Sequence, residues 1–249
     1  MQALNEKGFN LHDPENKVIL CGDAFDRGNQ SKEMFQFLKE LASQDRLIYI
    51  LGNHEDLLFE CLADISHQDI PGSHHFSNGT VKTICDISDV DQSIMFQLND
   101  ERNVKILYDG TEELRAFIRE HGRDYFTLGD KIFVHSWLPC YFGELCENWE
   151  SLEPGCSLWR RARWGNPFDQ WELKLYPSDR TVVFGHWHCS WGWSHIRQKH
   201  KEFPGKNRKD WQKSFEPFID DGIIAIDACT AFSGFVNCVV FDENGNLLL

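Results

Sequence analysis

The sequence predicts an α/β fold, and three observations carry that expectation. Residues 18–56 read as strand, helix, strand; two further short apolar runs, Lys131–Val134 and Thr181–Phe184, each lead into a histidine; and the chain closes on β-type runs beyond residue 222. In the first stretch, Val18-Ile19-Leu20-Cys21 and Leu47-Ile48-Tyr49-Ile50 flank a segment whose Met34, Phe37, Leu38 and Leu41 fall at i, i+3, i+4 and i+7. Runs this short and apolar suit strands covered on both faces, and a helix between them implies a right-handed crossover joining parallel strands. Ligands of open α/β sheets bind beyond the carboxyl ends of the strands. The polar clusters there, Gly22-Asp23-Ala24-Phe25-Asp26-Arg27-Gly28 and Gly52-Asn53-His54-Glu55, should therefore converge on one site.

The chemistry of those clusters suits a hard cation and a phosphate. Asp23 and Asn53 offer oxygen ligands, His54 can transfer a proton, and Arg27 is a fork-shaped donor matched to phosphate. Gly22, Gly28 and Gly52 let the backbone turn sharply beside them. Gly-Asp-Ala-Phe-Asp-Arg-Gly and Gly-Asn-His-Glu, thirty residues apart from Asp23 to Asn53, resemble two signature motifs of the calcineurin-like metallophosphoesterases. The form is that of the serine/threonine phosphoprotein phosphatases and their bacterial and phage relatives.

Composition sets outer limits. The 249 residues, 41% hydrophobic and 26% charged, suit one domain over 1–249 with a helical or loop insertion at about 66–110. No apolar run approaches the roughly 20 residues of a membrane span, and Met1-Gln2-Ala3-Leu4 does not open a signal peptide. A formal charge of −14 speaks against general binding to a nucleic-acid backbone. Nine cysteines with no Cys-x-x-Cys read as free thiols in a reducing compartment, hence a cytoplasmic protein.

In chain order, Leu4 to Gly8 reads as the end of a helix with a glycine cap. In the resembling family that helix follows a strand carrying Asp-x-His, which ligates the first metal; His12-Asp13 has the wrong order, so the sequence reads as truncated there. A helix continues from Glu55 through Leu62. Residues 66–103 are turn-rich, and His74-His75 reads as a solvent-exposed pair. Thr111-Glu112-Glu113 opens a helix with Leu114, Phe117 and Ile118 on one face, closed by Gly122.

Asp130–Val134 is a strand reaching His135, and Phe133-Val134-His135 resembles the histidine motif of the same family, with Ser136-Trp137 in place of its usual small pair. Leu158-Trp159-Arg160-Arg161 resembles its Trp-x-Arg element, which implies Arg161 as a phosphate ligand; three arginines in four positions also suit a solvated basic face. Gly185-His186-Trp187-His188 matches its Gly-His-x-His motif, of which the protein phosphatases usually keep only the first histidine and the wider family both. Residues 195–213 carry seven Lys or Arg and read as a solvated loop, alternatively a rim that attracts phosphorylated substrate. Gly222–Asp227 and Phe235–Phe241 read as strands, with Asn244-Gly245 as a hairpin turn into Leu247–Leu249.

The resemblance implies a four-layer α/β/β/α metallophosphoesterase sandwich without its first strand, and hydrolysis of a phosphomonoester, foremost protein phosphoserine or phosphothreonine. Asp23 would bridge two divalent ions, Asn53, His135 and His186 would complete the site of one, and His188 would help to hold the other, weakened one. Manganese, or iron with zinc or manganese, suits these donors. Water activated between the ions would attack phosphorus, His54 would protonate the leaving group, Asp26 would orient His54, and Arg27 and Arg161 would neutralise phosphoryl oxygens. Hydrolysis of dinucleoside polyphosphates, or a metal-depleted scaffold that only binds phosphate, are the alternatives. The sequence gives no oligomeric state.

Overall fold

In the computed structural model, which describes residues 2–10, 12–199, 202 and 208–248, the predicted strand, helix, strand unit forms as expected. After α1 (Gln2–Glu6), whose chain turns at Gly8 with φ +83°, come β1 (Val18–Cys21), α2 (Ser31–Ser43), β2 (Leu47–Ile50) and α3 (Asn53–Ser66). β1 and β2 pair in parallel with Val18 opposite Leu47 and Cys21 opposite Ile50, so the two polar clusters leave neighbouring strands at the same end. β3 (Gly122–Arg123) pairs in parallel on the far side of β2 and completes a three-stranded sheet.

Between α3 and β3 the chain is helical: α4 (Ser73–Asn78), α5 (Thr80–Ile87), a 3₁₀ turn at Gln92–Phe96, α6 (Glu101–Gly110) and α7 (Glu112–His121). The expectation of exposed histidines fails here, because His75 is buried in α4, at 1% exposure. Four further strands then follow: β4 (Tyr125–Leu128), β5 (Lys131–Val134) and the small hairpin β6 (Cys140–Tyr141) with β7 (Glu144–Leu145). α8 (Ser157–Ala162) and α9 (Pro167–Glu172) precede β8 (Thr181–Phe184). α10 (Cys189–Trp191), α11 (Arg208–Phe215), β9 (Phe218–Asp220), β10 (Ile223–Ala225) and α12 (Thr230–Ser233) complete the chain. The second sheet has the order β4-β5-β8-β10-β9, with β5, β8 and β10 parallel and the two edge strands antiparallel.

Alternation along the strands shows how the layers stack. Ile132 and Val134 of β5, Val182 and Phe184 of β8, and Ile223 and Ala225 of β10 pack with Trp159, Ala162 and Phe168 of the helices. Their neighbours Phe133, Val183 and Ile224 point the other way and meet Cys21 and Ile19 of β1. The other face of the first sheet, with Leu20 and Tyr49, packs on α2, α3, α5 and α7. The order of layers is therefore α/β/β/α, as expected.

Two expectations are corrected. Val18, Ile19 and Leu20 are only half-buried, because β1 is the edge of its sheet and has one strand neighbour. Phe235–Phe241 is not a strand: the segment meets its partner only at the isolated bridge Phe241–Leu247 and the bond from the Leu248 amide to the Val240 carbonyl. Its apolar residues serve instead as a cover, since Phe241 and Leu247 close over the layer between the sheets and the Phe241 ring meets Phe133 edge-on at 5.2 Å. The turn at Asn244-Gly245 does form, held by the Asp242 carboxylate, which accepts the amides of Asn244 and Asn246. Of the basic stretch 195–213, residues 200, 201 and 203–207 lie outside the described residues.

One buried cation ties the layers together. Arg163, 4% exposed, donates to Asp56 of α3 at 2.7 Å and to Asp124 between β3 and β4. Arg163→Ala should cost about 3–5 kcal/mol of unfolding free energy, the usual loss when one partner leaves a buried ion pair, and Asp124→Asn in the same chain should recover part of it. Urea unfolding followed by tryptophan fluorescence measures both; a loss below about 1 kcal/mol, the range of exposed pairs, would contradict a buried tie.

Candidate active site

Two loops can meet only because glycine allows it. A Cβ on Gly22, where φ is +82°, would lie 2.4 Å from His135 Nδ1, and one on Gly52 would lie 2.2 Å from Asp23 Oδ1. The loops are then stitched by Glu55, whose carboxylate accepts the amides of Asp23 (3.1 Å), Ala24 (3.0 Å) and Gly52 (2.6 Å) and the Tyr49 hydroxyl (2.8 Å). Burial, then the charge of Asp23, raises the Glu55 carboxyl above its ordinary range. Asp23, Asp26, Arg27 and His186 all have positive φ, 54°, 72°, 56° and 61°, a region costly for residues with a side chain and concentrated at functional sites.

Asp23, His135 and His186 bring one potential ligand atom each within 4.8 Å of the others. Asn53 joins them, its Oδ1 3.0 Å from both His135 Nε2 and His186 Nδ1, which are themselves 3.1 Å apart. His135 Nδ1 donates to the Cys21 carbonyl at 2.7 Å, which turns Nε2 toward Asn53, Asp23 and His186. His186 hydrogen-bonds the Trp164 backbone, and burial followed by repulsion from His135 pushes its pKa down to about 4, so it is neutral at pH 7. Burial works to raise the Asp23 carboxyl, but His135, His54 and the His54 amide outweigh it and hold it below its usual range. A carboxylate, an amide oxygen and a nitrogen from each of two imidazoles thus converge on one another. Such a set fits a divalent cation, with the second nitrogen of each histidine anchored as metal-binding imidazoles require.

His54 lies in the first turn of α3 beside this group. Its amide donates to Asp23 Oδ1 at 3.1 Å, and its Nδ1 meets Asp26 Oδ2 at 2.7 Å, which leaves Nε2 to face the site. Burial favours the neutral ring, but the Asp26 hydrogen bond and the charges of Asp23 and Asp26 prevail and raise its pKa. The Asp26 carboxylate is in turn fixed by Thr80 Oγ1 (2.7 Å) and Thr83 Oγ1 (2.6 Å), and its amide donates to Thr83 Oγ1 at 3.1 Å. These buried threonines of α5 were missed in the sequence, where nothing local marks two hydroxyls in a short helix.

The remaining candidates are more dispersed. Arg27 is exposed, close enough to His54 to oppose its protonation, and its guanidinium donates to Asn78 Oδ1 at 2.6 Å. Arg161 lies on the exposed face of α8, in a cleft of about 390 Å³ with Asp56, Glu60, Arg160 and Trp164, apart from the ligand group. His188 also stands outside that group: its Nδ1 meets Ser190 Oγ at 2.8 Å and its Nε2 lies 3.3 Å from Glu202. Asp227, which the sequence reading did not single out, is raised by burial and lies within the electrostatic reach of Asp23, His135 and His188; its carboxylate accepts the Cys229 amide at 2.6 Å.

The family model for calcineurin-like phosphoesterase matches residues 2–190, three quarters of the chain. Searches among curated proteins and among solved structures gave no match.

Removing the Glu55 carboxylate would leave three amides and the Tyr49 hydroxyl without their acceptor. Each unsatisfied buried group costs about 1–3 kcal/mol, so Glu55→Ala should destabilise the fold by at least about 3 kcal/mol, while Tyr49→Phe should cost only about 1 kcal/mol. Equal losses in chemical denaturation would deny Glu55 its role as the common acceptor.

Proposed function

Because the chain belongs to the calcineurin-like phosphoesterases, a metal-dependent family, we propose that it hydrolyses phosphomonoesters and acts foremost on phosphoserine or phosphothreonine in proteins. The observation that supports this most is the placement of the His54 imidazole, held by Asp26, beside the converging ligand atoms of Asp23, Asn53, His135 and His186.

In this reading Asp23, Asn53, His135 and His186 hold a divalent ion, with Mn²⁺ the first choice and iron or zinc also suited to these donors. His188 contributes to a second ion, held less firmly. When bound, the ions acidify water and neutralise charge on the phosphoryl group. The chain's own residues do the rest. Arg27 binds a phosphoryl oxygen as a charged fork, and Arg161 captures the substrate's phosphate from the neighbouring cleft. Water adds to phosphorus as the bond to the alcohol oxygen breaks. His54, whose charged form the Asp26 hydrogen bond and the charges of Asp23 and Asp26 favour, gives the Nε2 proton to the departing alkoxide, so free alcohol and inorganic phosphate result. Thr80 and Thr83 hold Asp26 in the orientation that keeps the proton on His54 directed at the site.

We read residues 1–249 as one domain in which about 66–110 is the inserted segment, and the protein as cytoplasmic. Among the described residues, no helix is long and apolar enough to cross a membrane. Phosphorylated protein is the proposed partner, with no role for nucleic acid.

His54→Ala should lower kcat towards a phosphoserine peptide at least a hundredfold, since general acid catalysis typically supplies about 10²–10⁴-fold. The loss should be far smaller with an aryl phosphate, whose leaving group needs less protonation. Equal losses on both substrates would make His54 structural. A dinucleoside tetraphosphate turned over faster than the phosphopeptide would replace the protein substrate by a nucleotide one, and no turnover of either with Mn²⁺ present would favour a phosphate-binding scaffold.

Thr83→Val should reproduce part of the His54 pattern, with kcat down roughly tenfold on the peptide, KM little changed and aryl phosphate turnover almost untouched. Thr83→Ser should restore the rate. A uniform loss on both substrates, unrelieved by serine, would show that Thr83 only fills space.

A further inference from the structure

α3 and α4 bring together a second group of donors that the reading above does not use. Glu60 and Asp64 lie one turn apart on α3, and His74 and His75 are successive residues of α4. One ligand atom each from Glu60, His74 and His75 lies within 4.8 Å of the others. The two imidazole rings are 3.9 Å apart, and Asp64 Oδ2 is 3.7 Å from His75 Nε2.

Three features of this group go beyond a chance meeting of surface side chains. First, His75 is 1% exposed, and its Nδ1 is buried with no hydrogen-bond partner, a state that ordinarily costs about 1–3 kcal/mol. Second, Glu60 and Asp64 are like charges at i, i+4, an arrangement that opposes the helix unless a cation sits between them. Third, the histidine segment is shaped closely to its place. A Cβ on Gly72 would lie 2.8 Å from the His74 ring, so the chain enters α4 by passing directly under that imidazole.

We propose that Glu60, His74 and His75 bind a divalent transition-metal ion, with Asp64 as an adjacent carboxylate, at a site separate from the group at Asp23. Imidazole and carboxylate together suit Zn²⁺ and its neighbours in the first row, and three protein ligands leave room for water. The two carboxylates bring negative charge to the group, which the ion offsets.

The position suggests what the ion does. The His74 carbonyl accepts Asn78 Nδ2 at 2.9 Å, and Asn78 Oδ1 accepts the Arg27 guanidinium at 2.6 Å. An ion that pins α4 to α3 therefore also fixes the support of Arg27. This consequence rests on the phosphate-binding role given to Arg27 above; the binding of the ion does not.

The test is zinc binding by the full chain, with Zn²⁺ alone as the probe. Glu60 and His74 are both exposed, so Glu60→Gln with His74→Gln replaces them by polar residues that the surface tolerates. After dialysis against Zn²⁺ and elemental analysis, this double variant should hold one equivalent fewer than the unaltered chain. His186→Ala, which alters only the other group, should keep the equivalent that the double variant loses. Co²⁺ added to His186→Ala should give a visible ligand-field band that disappears when His74→Gln is added. Unchanged melting of the metal-free double variant would tie the lost equivalent to the missing ligands. If the double variant retains all the zinc of the unaltered chain, or if the cobalt band survives His74→Gln, the site does not exist. Should zinc bind there while phosphate inhibition is the same with and without it, the ion is confined to holding α4, and the link to Arg27 falls alone.

Discussion

The site depends on one buried carboxylate. Asp23 follows β1 and Asn53 opens α3 just beyond β2, so the two reach the site from different strand ends. Glu55 closes both by taking the amides of Asp23, Ala24 and Gly52 at once, and Tyr49, rising from β2, fixes Glu55 from below. The arrangement explains why the left-handed backbone at Asp23 is tolerated: amides that strain would leave unpaired find a strong, charged acceptor. It also explains the glycines, since any side chain at positions 22 or 52 would occupy the space in which the loops touch.

How much of this was legible in the sequence follows from the range over which each signal acts. The parallel unit from Val18 to Ser66 was legible because strand runs, helix spacing and glycine-bounded loops are local. The convergence of Asp23, Asn53, His135 and His186 was legible through resemblance, because motif residues follow strand ends at fixed offsets. The support of Asp26 was not, since Thr80 and Thr83 are more than fifty residues away and hydroxyls carry no periodic signature. Nor was Arg163 distinguishable from Arg160 and Arg161 by spacing alone: only the fold puts Asp56 and Asp124 on either side of it and leaves its neighbours in water. The run Phe235–Phe241 misled because an apolar run can cover a sheet layer without joining a ladder: the segment is only half-buried, Val236 is exposed, and Phe241 alone packs into the layer between the sheets.

That gap has its own logic. Among the described residues, the buried apolar side chains clustered between the sheets are Cys21, Phe133, Val183 and Ile224, far fewer than in either outer layer. Much of the inner layer is half-buried, and Phe241 and Leu247 complete it from the end of the chain. The turn that carries them fits tightly, with the Asn244 carbonyl only 2.1 Å from where a Cβ on Gly129 would sit.

The hydroxyls of α5 carry a consequence for how such a domain diversifies. The carboxylate that steadies His54 is itself steadied by a helix from the connecting region between α3 and β3, the kind of segment that varies most freely in length and composition. With His54 as the acid of the proposed reaction, exchange of that region would change the outer surface of the protein and the firmness of that acid in one step. Under that proposal, substrate selectivity and tolerance for poor leaving groups would be inherited as a single trait, with neither open to selection alone.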